Sequence, residues 1–188
     1  MLRRTIAAVL VGSVFTGGPA SGQMDSGPRV RELRVESRAR DVFVTFALAG
    51  ALNPELARKI EAGLETAIRY DIRLYRRYPY WFDDLVERRK YRVAVTFDPV
   101  TREYGVDETL DGKPLGRNTT RDFPEAAKLL LSRENLLAFH IQQGRPTRNL
   151  YVQMRASFDA GYVFTIIPVD SRTPWKKSKR FNIREVTP

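Results

Sequence analysis

Six cations recur at short spacing in the middle of this 188-residue chain: Arg69, Arg73 and Arg77, then Arg88, Lys90 and Arg92. If the two segments that carry them are paired strands, their polar sides share one face and form a basic ribbon. Like charges placed opposite each other across strands repel. Such a ribbon costs stability unless acids or a ligand intervene, and Asp71 is the only acid within the set. The chemistry this fits is docking onto an anionic lipid, a polysaccharide or the acidic face of a protein. A second basic cluster, Arg172, Lys176, Lys177, Lys179 and Arg180, surrounds Trp175.

Catalytic chemistry finds less to work with. A nucleophilic Ser or Cys needs a base beside it, and the chain has no Cys and one His, His140. His140 lies in a largely apolar stretch that reads as helical, so a partly buried structural role is expected. Metal sites need clustered ligands at fixed spacing. Asp83-Asp84 and Asp107-Glu108 are adjacent pairs whose members face apart in a strand. No Gly-rich phosphate loop follows a strand. Asp83, Asp98 and Glu103 could supply the two carboxylates of a glycosidase, but any chain of this length supplies as many. The expectation is no enzyme activity, no cofactor and no metal.

The elements that must position the ribbon are legible. Ile68, Tyr70, Ile72 and Leu74 alternate with Arg69, Asp71, Arg73, Tyr75 and Arg77, the period of a half-buried antiparallel strand. Tyr91, Val93, Val95 and Phe97 alternate with Lys90, Arg92 and Thr96 in the same way. Asp98-Pro99 then turns the chain, and Tyr104 and Val106 resume alternation in a returning strand. Upstream, Leu33 and Val35, then Val42, Val44, Phe46 and Leu48, predict a hairpin joined near Ser37 to Arg40. Asn53-Pro54-Glu55 is a helix start, and Gly63 predicts its left-handed end.

Between the ribbon strands lies Pro79-Tyr80-Trp81-Phe82-Asp83-Asp84. Aromatic side chains carry the most burial per residue, so this stretch is expected to be a lid closing one end of the core. The functional alternative is a stacking or membrane-edge platform.

Asp111-Gly112 predicts a tight turn, followed by a polar loop to Thr120. Asp122 with Glu125 resembles a capping box, opening a helix that continues unevenly to Ile141. Leu150 to Phe158 alternates as a clear strand. Tyr162 to Ile167 reads as a covered strand, Pro168 to Lys179 as a basic loop, and Phe181 with Ile183 as a last short strand. About eight strands and two helices result. The expected fold is mainly β, an antiparallel β-sandwich-like single domain with the helices at an edge or end. An α+β sheet covered by helices on one face is the alternative.

Export is predicted from residues 1–22. Met1-Leu2-Arg3-Arg4 precedes an apolar run from Ile6 to Phe15 and small residues through Gly22, the pattern of a signal peptide. Residues 23–28 are expected to be a disordered lead-in, and 29–188 the domain. Without a Cys, a lipoprotein is excluded. The formal charge of +10 falls to +8 when Arg3 and Arg4 leave with the signal. An excess of that sign favours anionic partners, and export argues against nucleic acid among them. The expected location is periplasmic or extracellular.

The segments RRYPYWFD and FDPVTREYGV resemble the arginine-rich strand, tryptophan connection and aspartate-turn hairpin of domain-of-unknown-function family 4390, an exported bacterial family. The helix ending at Gly63, the LYVQMRASF strand and the terminal KSKRFNI strand follow that family's order, so the resemblance covers roughly Arg40 to Val186. It implies a signal-bearing protein with no catalytic residue or cofactor to carry over. It also implies, by association alone, a sensor kinase as an envelope partner. Trp81, Asp83, Asp98, Thr101, Arg102 and Tyr104 match its motifs and read as hairpin architecture as much as a site.

The leading expectation is therefore a non-enzymatic exported module that binds an envelope protein or anionic envelope component through a basic strand face. A carrier for a small apolar ligand, with Trp81 and Phe82 at its mouth, is the second, and a carboxylate-based hydrolase the third.

Overall fold

Period-two alternation over long segments leaves each strand one apolar face, and that face must be covered by another layer. In the computed structural model, which describes residues 27–158 and 172–183, the covering layer is a second sheet. The strands are β1 (Arg29–Arg38), β2 (Asp41–Ala49), β3 (Thr66–Arg76), β4 (Asp84–Asp98), β5 (Glu103–Leu110), β6 (Lys113–Thr120), β7 (Ser132–His140), β8 (Leu150–Phe158) and the two-residue β9 (Lys176–Lys177). The helices are α1 (Pro54–Glu61) and α2 (Phe123–Leu131). A three-stranded sheet runs β1-β2-β7 and a six-stranded sheet runs β6-β5-β4-β3-β8-β9, with every pairing antiparallel.

The sandwich-like β fold is therefore as expected, and the helix-covered single sheet is not. Each helix sits where the chain changes sheets: α1 leads from β2 to β3, and α2 from β6 to β7. One core joins the layers. Val42, Val44 and Phe46 of the small sheet bury against Ile68, Tyr70, Ile72 and Leu74 of β3 and Tyr91, Val93 and Val95 of β4. At its centre the Phe46 ring lies 4.6 Å from Tyr70 and 6.0 Å from Tyr91. Aromatic pairs at such spacing add to the burial term.

Local signals act as their chemistry requires. Asn53 Oδ1 accepts the Leu56 N–H at 2.7 Å, with Pro54 at the first helical position. The helix closes in a Schellman arrangement: Leu64 N–H donates to Lys59 O and Gly63 N–H to Ile60 O, with Gly63 at φ +76°. Asp111 and Gly112, at φ +51° and +80°, make the two-residue turn between β5 and β6.

Several expectations need correction. The polar stretch after Gly112 is a strand, β6, not a loop. It lies at the sheet edge and is exposed along almost its whole length, so it has no apolar alternation to betray it. Pro114 and Gly116 within it suit an edge. The helix opened at Asp122 stops at Leu131, and the remainder to His140 is strand β7. Asn135 at φ +50° and two register shifts against β2 break the alternation there. A bulged strand and a frayed helix then look alike in sequence. Asp122 makes no side-chain cap; Thr120 instead accepts the Asp122 N–H and donates its hydroxyl to Glu125 at 2.5 Å. The loop around Trp175 contains β9, while Phe181 forms only an isolated bridge to Leu150. The predicted signal peptide and the strand expected at Tyr162 to Ile167 lie outside the described residues.

Candidate functional site

The β3–β4 register sets Arg69 opposite Arg92, Asp71 opposite Lys90 and Arg73 opposite Arg88. Alternation turns these residues away from the core, so five of the six expected cations share the outer face of the large sheet. Arg77 is the exception in placement. It lies one residue beyond β3 and lines a groove at the end of the sheet.

The like-charge crossings are resolved around Asp71. Its carboxylate accepts from Arg73 Nη2 at 3.0 Å and Nε at 3.3 Å, and Arg88 Nε stands 3.7 Å away. From the other flank β8 sets Arg155 opposite Asp71, with its Nη2 at 3.7 Å. The hydrogen bonds to Asp71 hold the Arg73 guanidinium even further above its usual range. Arg92 is tied to Glu65. Trp175 and Arg172 are the parts of the second basic stretch that reach this face, while Lys177, Lys179 and Arg180 line the groove at the end of the sheet. The Trp175 ring takes the Arg73 guanidinium at 4.3 Å and that of Arg155 at 4.4 Å. Cation–π contacts of this kind hold the guanidinium planes in place. Lys177 lies 5.3 Å from the Tyr151 ring, which in turn stacks on Tyr75 at 5.4 Å.

What results is a charged, ordered and partly open surface. A groove of about 430 Å³ runs over it, lined by Arg69, Lys90, Arg92, Arg155 and Arg172 against one acid, Asp71. Planar guanidinium groups spaced along neighbouring strands can engage carboxylate, phosphate or sulfate oxygens in pairs. Sequence reasoning finds the β3 and β4 cations but misses Arg155 and the bridging role of Trp175. The signal for Arg155 is present, since it alternates to the polar side of LYVQMRASF. Nothing local places that strand beside β3.

The motif residues divide. Asp98 Oδ1 accepts the N–H of Val100 at 2.8 Å and of Thr101 at 3.4 Å, Arg102 takes φ +58°, and Tyr104 packs 4.8 Å from Phe97. These four build the β4–β5 turn and its support. Asp83 is a staple: it accepts from the Tyr151 hydroxyl at 2.7 Å and the Tyr78 N–H at 3.4 Å. Burial, and then that hydrogen bond, push the Tyr151 phenol up. Trp81 is different. Tyr80, Trp81 and Phe82 are 96%, 79% and 87% exposed, so they do not close the core as a lid. Their neighbours on both sides belong to a short link between two strands of the same sheet, which leaves the tip outside the sandwich.

His140 also departs from expectation. It is on strand β7, two-thirds exposed, with Nδ1 2.6 Å from Asp41. The carboxylates considered for catalysis have structural partners: Asp83 and Asp98 as above, and Glu103 with Arg121 at 3.0 Å. Among the described residues no three His, Cys, Asp or Glu side chains cluster as metal ligands. Asp107 and Glu108 do face apart, the former toward Arg117 and the latter into the sandwich. Glu108, 3% exposed, accepts from Tyr91 Oη at 2.8 Å and Arg133 Nη1 at 3.2 Å. Burial, then this bond, raises the Tyr91 phenol.

Fold and surface together define a class: a two-sheet antiparallel sandwich whose larger sheet turns an arginine-rich face outward. The chain belongs to the family described as Domain of unknown function (DUF4390), whose model matches residues 25–163. The matched range begins ahead of β1 and stops short of the KSKRFNI segment, so the part that carries Trp175 and Lys177 lies beyond it. Comparison with curated proteins and with solved structures finds no significant match.

Proposed function

We propose that this chain is an exported, non-enzymatic binding module that holds an anionic envelope partner on the outer face of its six-stranded sheet. The observation that carries the reading is the β4-β3-β8 register. It sets Arg69, Arg73, Arg88, Lys90, Arg92 and Arg155 on one face, where Asp71 is the one acid at the paired positions and Glu65 holds Arg92. A fold alone has no use for that arrangement, because cross-strand like charges are destabilising. The signal-like residues 1–22 support export, and the net positive charge supports an anionic partner. The acidic face of an envelope protein, such as a sensor kinase, fits this surface, as does an anionic polysaccharide.

The test is crosslinking in the native envelope, then affinity capture of the tagged chain and mass spectrometry at low and high salt. Arg88→Glu with Lys90→Glu is compared with the unaltered chain. A recurrent partner lost in the variant and in high salt, with the melting temperature unchanged, is the expected result. A partner retained by the folded variant overturns the reading.

A further inference from the structure

The tip formed by Tyr80, Trp81 and Phe82 is the largest aromatic surface that the described residues leave in water, and it does not belong to the sheet face. Its exposure comes from a defined base. Asp83 bonds both Tyr78 N–H and the Tyr151 hydroxyl, closing the loop beneath the three rings. Arg76 lies 4.8 Å from the Tyr78 ring, bracing the other leg. The Trp81 and Phe82 rings meet edge to face with centroids 6.5 Å apart, so they present a small wedge rather than two scattered side chains.

Immediately behind the wedge lies the end groove, about 760 Å³, whose wall includes Asp83 itself. Its cations are Arg77, Lys177, Lys179 and Arg180. Apolar rings carrying polar edges, next to a cluster of cations, match the two halves of a membrane interface. Trp and Tyr favour the headgroup level, and cations beside them attract anionic lipid. A tip this exposed protrudes, which suits insertion into a soft layer rather than contact with a flat protein surface. Chain length excludes a spanning role for the tip, and no helix among the described residues is long and apolar enough to cross a membrane.

We infer that the β3–β4 loop docks the protein edge-on to a bilayer containing anionic phospholipid. Trp81 and Phe82 enter the headgroup and upper acyl region, and Arg77, Lys177, Lys179 and Arg180 hold phosphate groups in the end groove. This inference uses a different surface from the sheet face, and the two fail separately. Bilayer docking leaves the outer sheet face free for its own partner.

The experiment uses the full chain with Trp175→Phe, in which Trp81 is the one remaining tryptophan. Vesicles of phosphatidylcholine, with or without phosphatidylglycerol, carry brominated acyl chains. Trp81 emission is expected to shift to the blue and to be quenched on the anionic vesicles alone. Trp81→Ala with Phe82→Ala, in a chain that keeps Trp175, should weaken vesicle affinity at least about tenfold, the effect of losing one buried aromatic side chain. Lys179→Glu with Arg180→Glu should weaken it about fivefold per cation or more. Arg88→Glu with Lys90→Glu should leave Trp81 quenching intact. Vesicle attachment that leaves Trp81 unquenched, as attachment through residues 1–22 would, overturns the inference. So does equal quenching on phosphatidylcholine alone, or affinity unchanged in the folded loop variant.

Discussion

The two faces of β3 are built from one eleven-residue segment and solve opposite problems. Inward, Ile68, Tyr70, Ile72 and Leu74 are essentially fully buried, and Tyr70 meets Phe46 across the sandwich and Tyr91 beside it in the same sheet. Outward, Arg69, Asp71 and Arg73 meet Arg92, Lys90 and Arg88. The inner face is stabilised by excluding water, and its one hydroxyl at the centre, Tyr70 Oη, is satisfied by the Leu130 carbonyl at 2.9 Å. The outer face keeps its charges partly hydrated and organises them around Asp71 and Trp175. Folding energy therefore resides on the inner side of the strand, and the proposed recognition on the outer. Substitutions on the two sides should separate stability from binding.

The largest effect should come from the inner face. Ile72→Ala removes a fully buried side chain and should lower the unfolding free energy by about 2–5 kcal/mol. Urea denaturation measures this, and partner binding by the molecules that remain folded should not change. A loss well under 1 kcal/mol would break the contrast at its root. Next is Glu108→Gln, which takes the charge from the only buried carboxylate among the described residues and leaves Arg133 without its ion partner. Removing one partner of a fully buried pair costs about 3–5 kcal/mol. The Arg133 side chain is 35% exposed, so about 1–3 kcal/mol is expected here. The smallest stability effect belongs to the outer face. Asp71→Asn should cost about 0.5–1 kcal/mol, because its partners are reachable by solvent. It removes a negative charge from the ribbon and so raises its net charge by one, and retention of the proposed anionic partner should rise while stability falls. If stability and retention fall together, Asp71 is part of the binding surface rather than the clamp behind it.

Most of the strand faces are legible in the sequence because alternation is a local property. The helix start at Asn53, its Gly63 end and the Asp98 turn are legible for the same reason: each is made by groups bonding backbone within a few residues. Legibility fails where that locality ends. Strand β6 is exposed on both sides at the sheet edge, so no pattern marks it. Strand β7 carries a bulge at Asn135, which disturbs the period on which the reading depends. The aromatic run at Tyr80 reads as a lid on the core and is not one, since hydrophobic composition alone does not say on which side of a sheet end a loop will leave.

The candidate site shows the same division. Alternation alone assigns the β3 and β4 cations to one polar face, because the two strands are neighbours in sequence with readable periods. Arg155 lies 84 positions after Asp71 in the numbering, and only the pairing of β8 with β3 sets the two opposite each other. Trp175 is further still, and reaches Arg73 and Arg155 through the short β9 pairing.

By itself, then, the sequence determined which side of each long strand is apolar, where the first helix begins and ends, and that cations outnumber acids on the central hairpin. Those are consequences of period, local hydrogen bonding and composition. The tertiary structure alone decided that β8 flanks β3, that Glu108 is shut inside with Tyr91 and Arg133, and that the Trp81 tip stands in water beside a basic groove. Each of these depends on which distant segment occupies the neighbouring space, and that is settled by the packing of two whole sheets rather than by any stretch of chain.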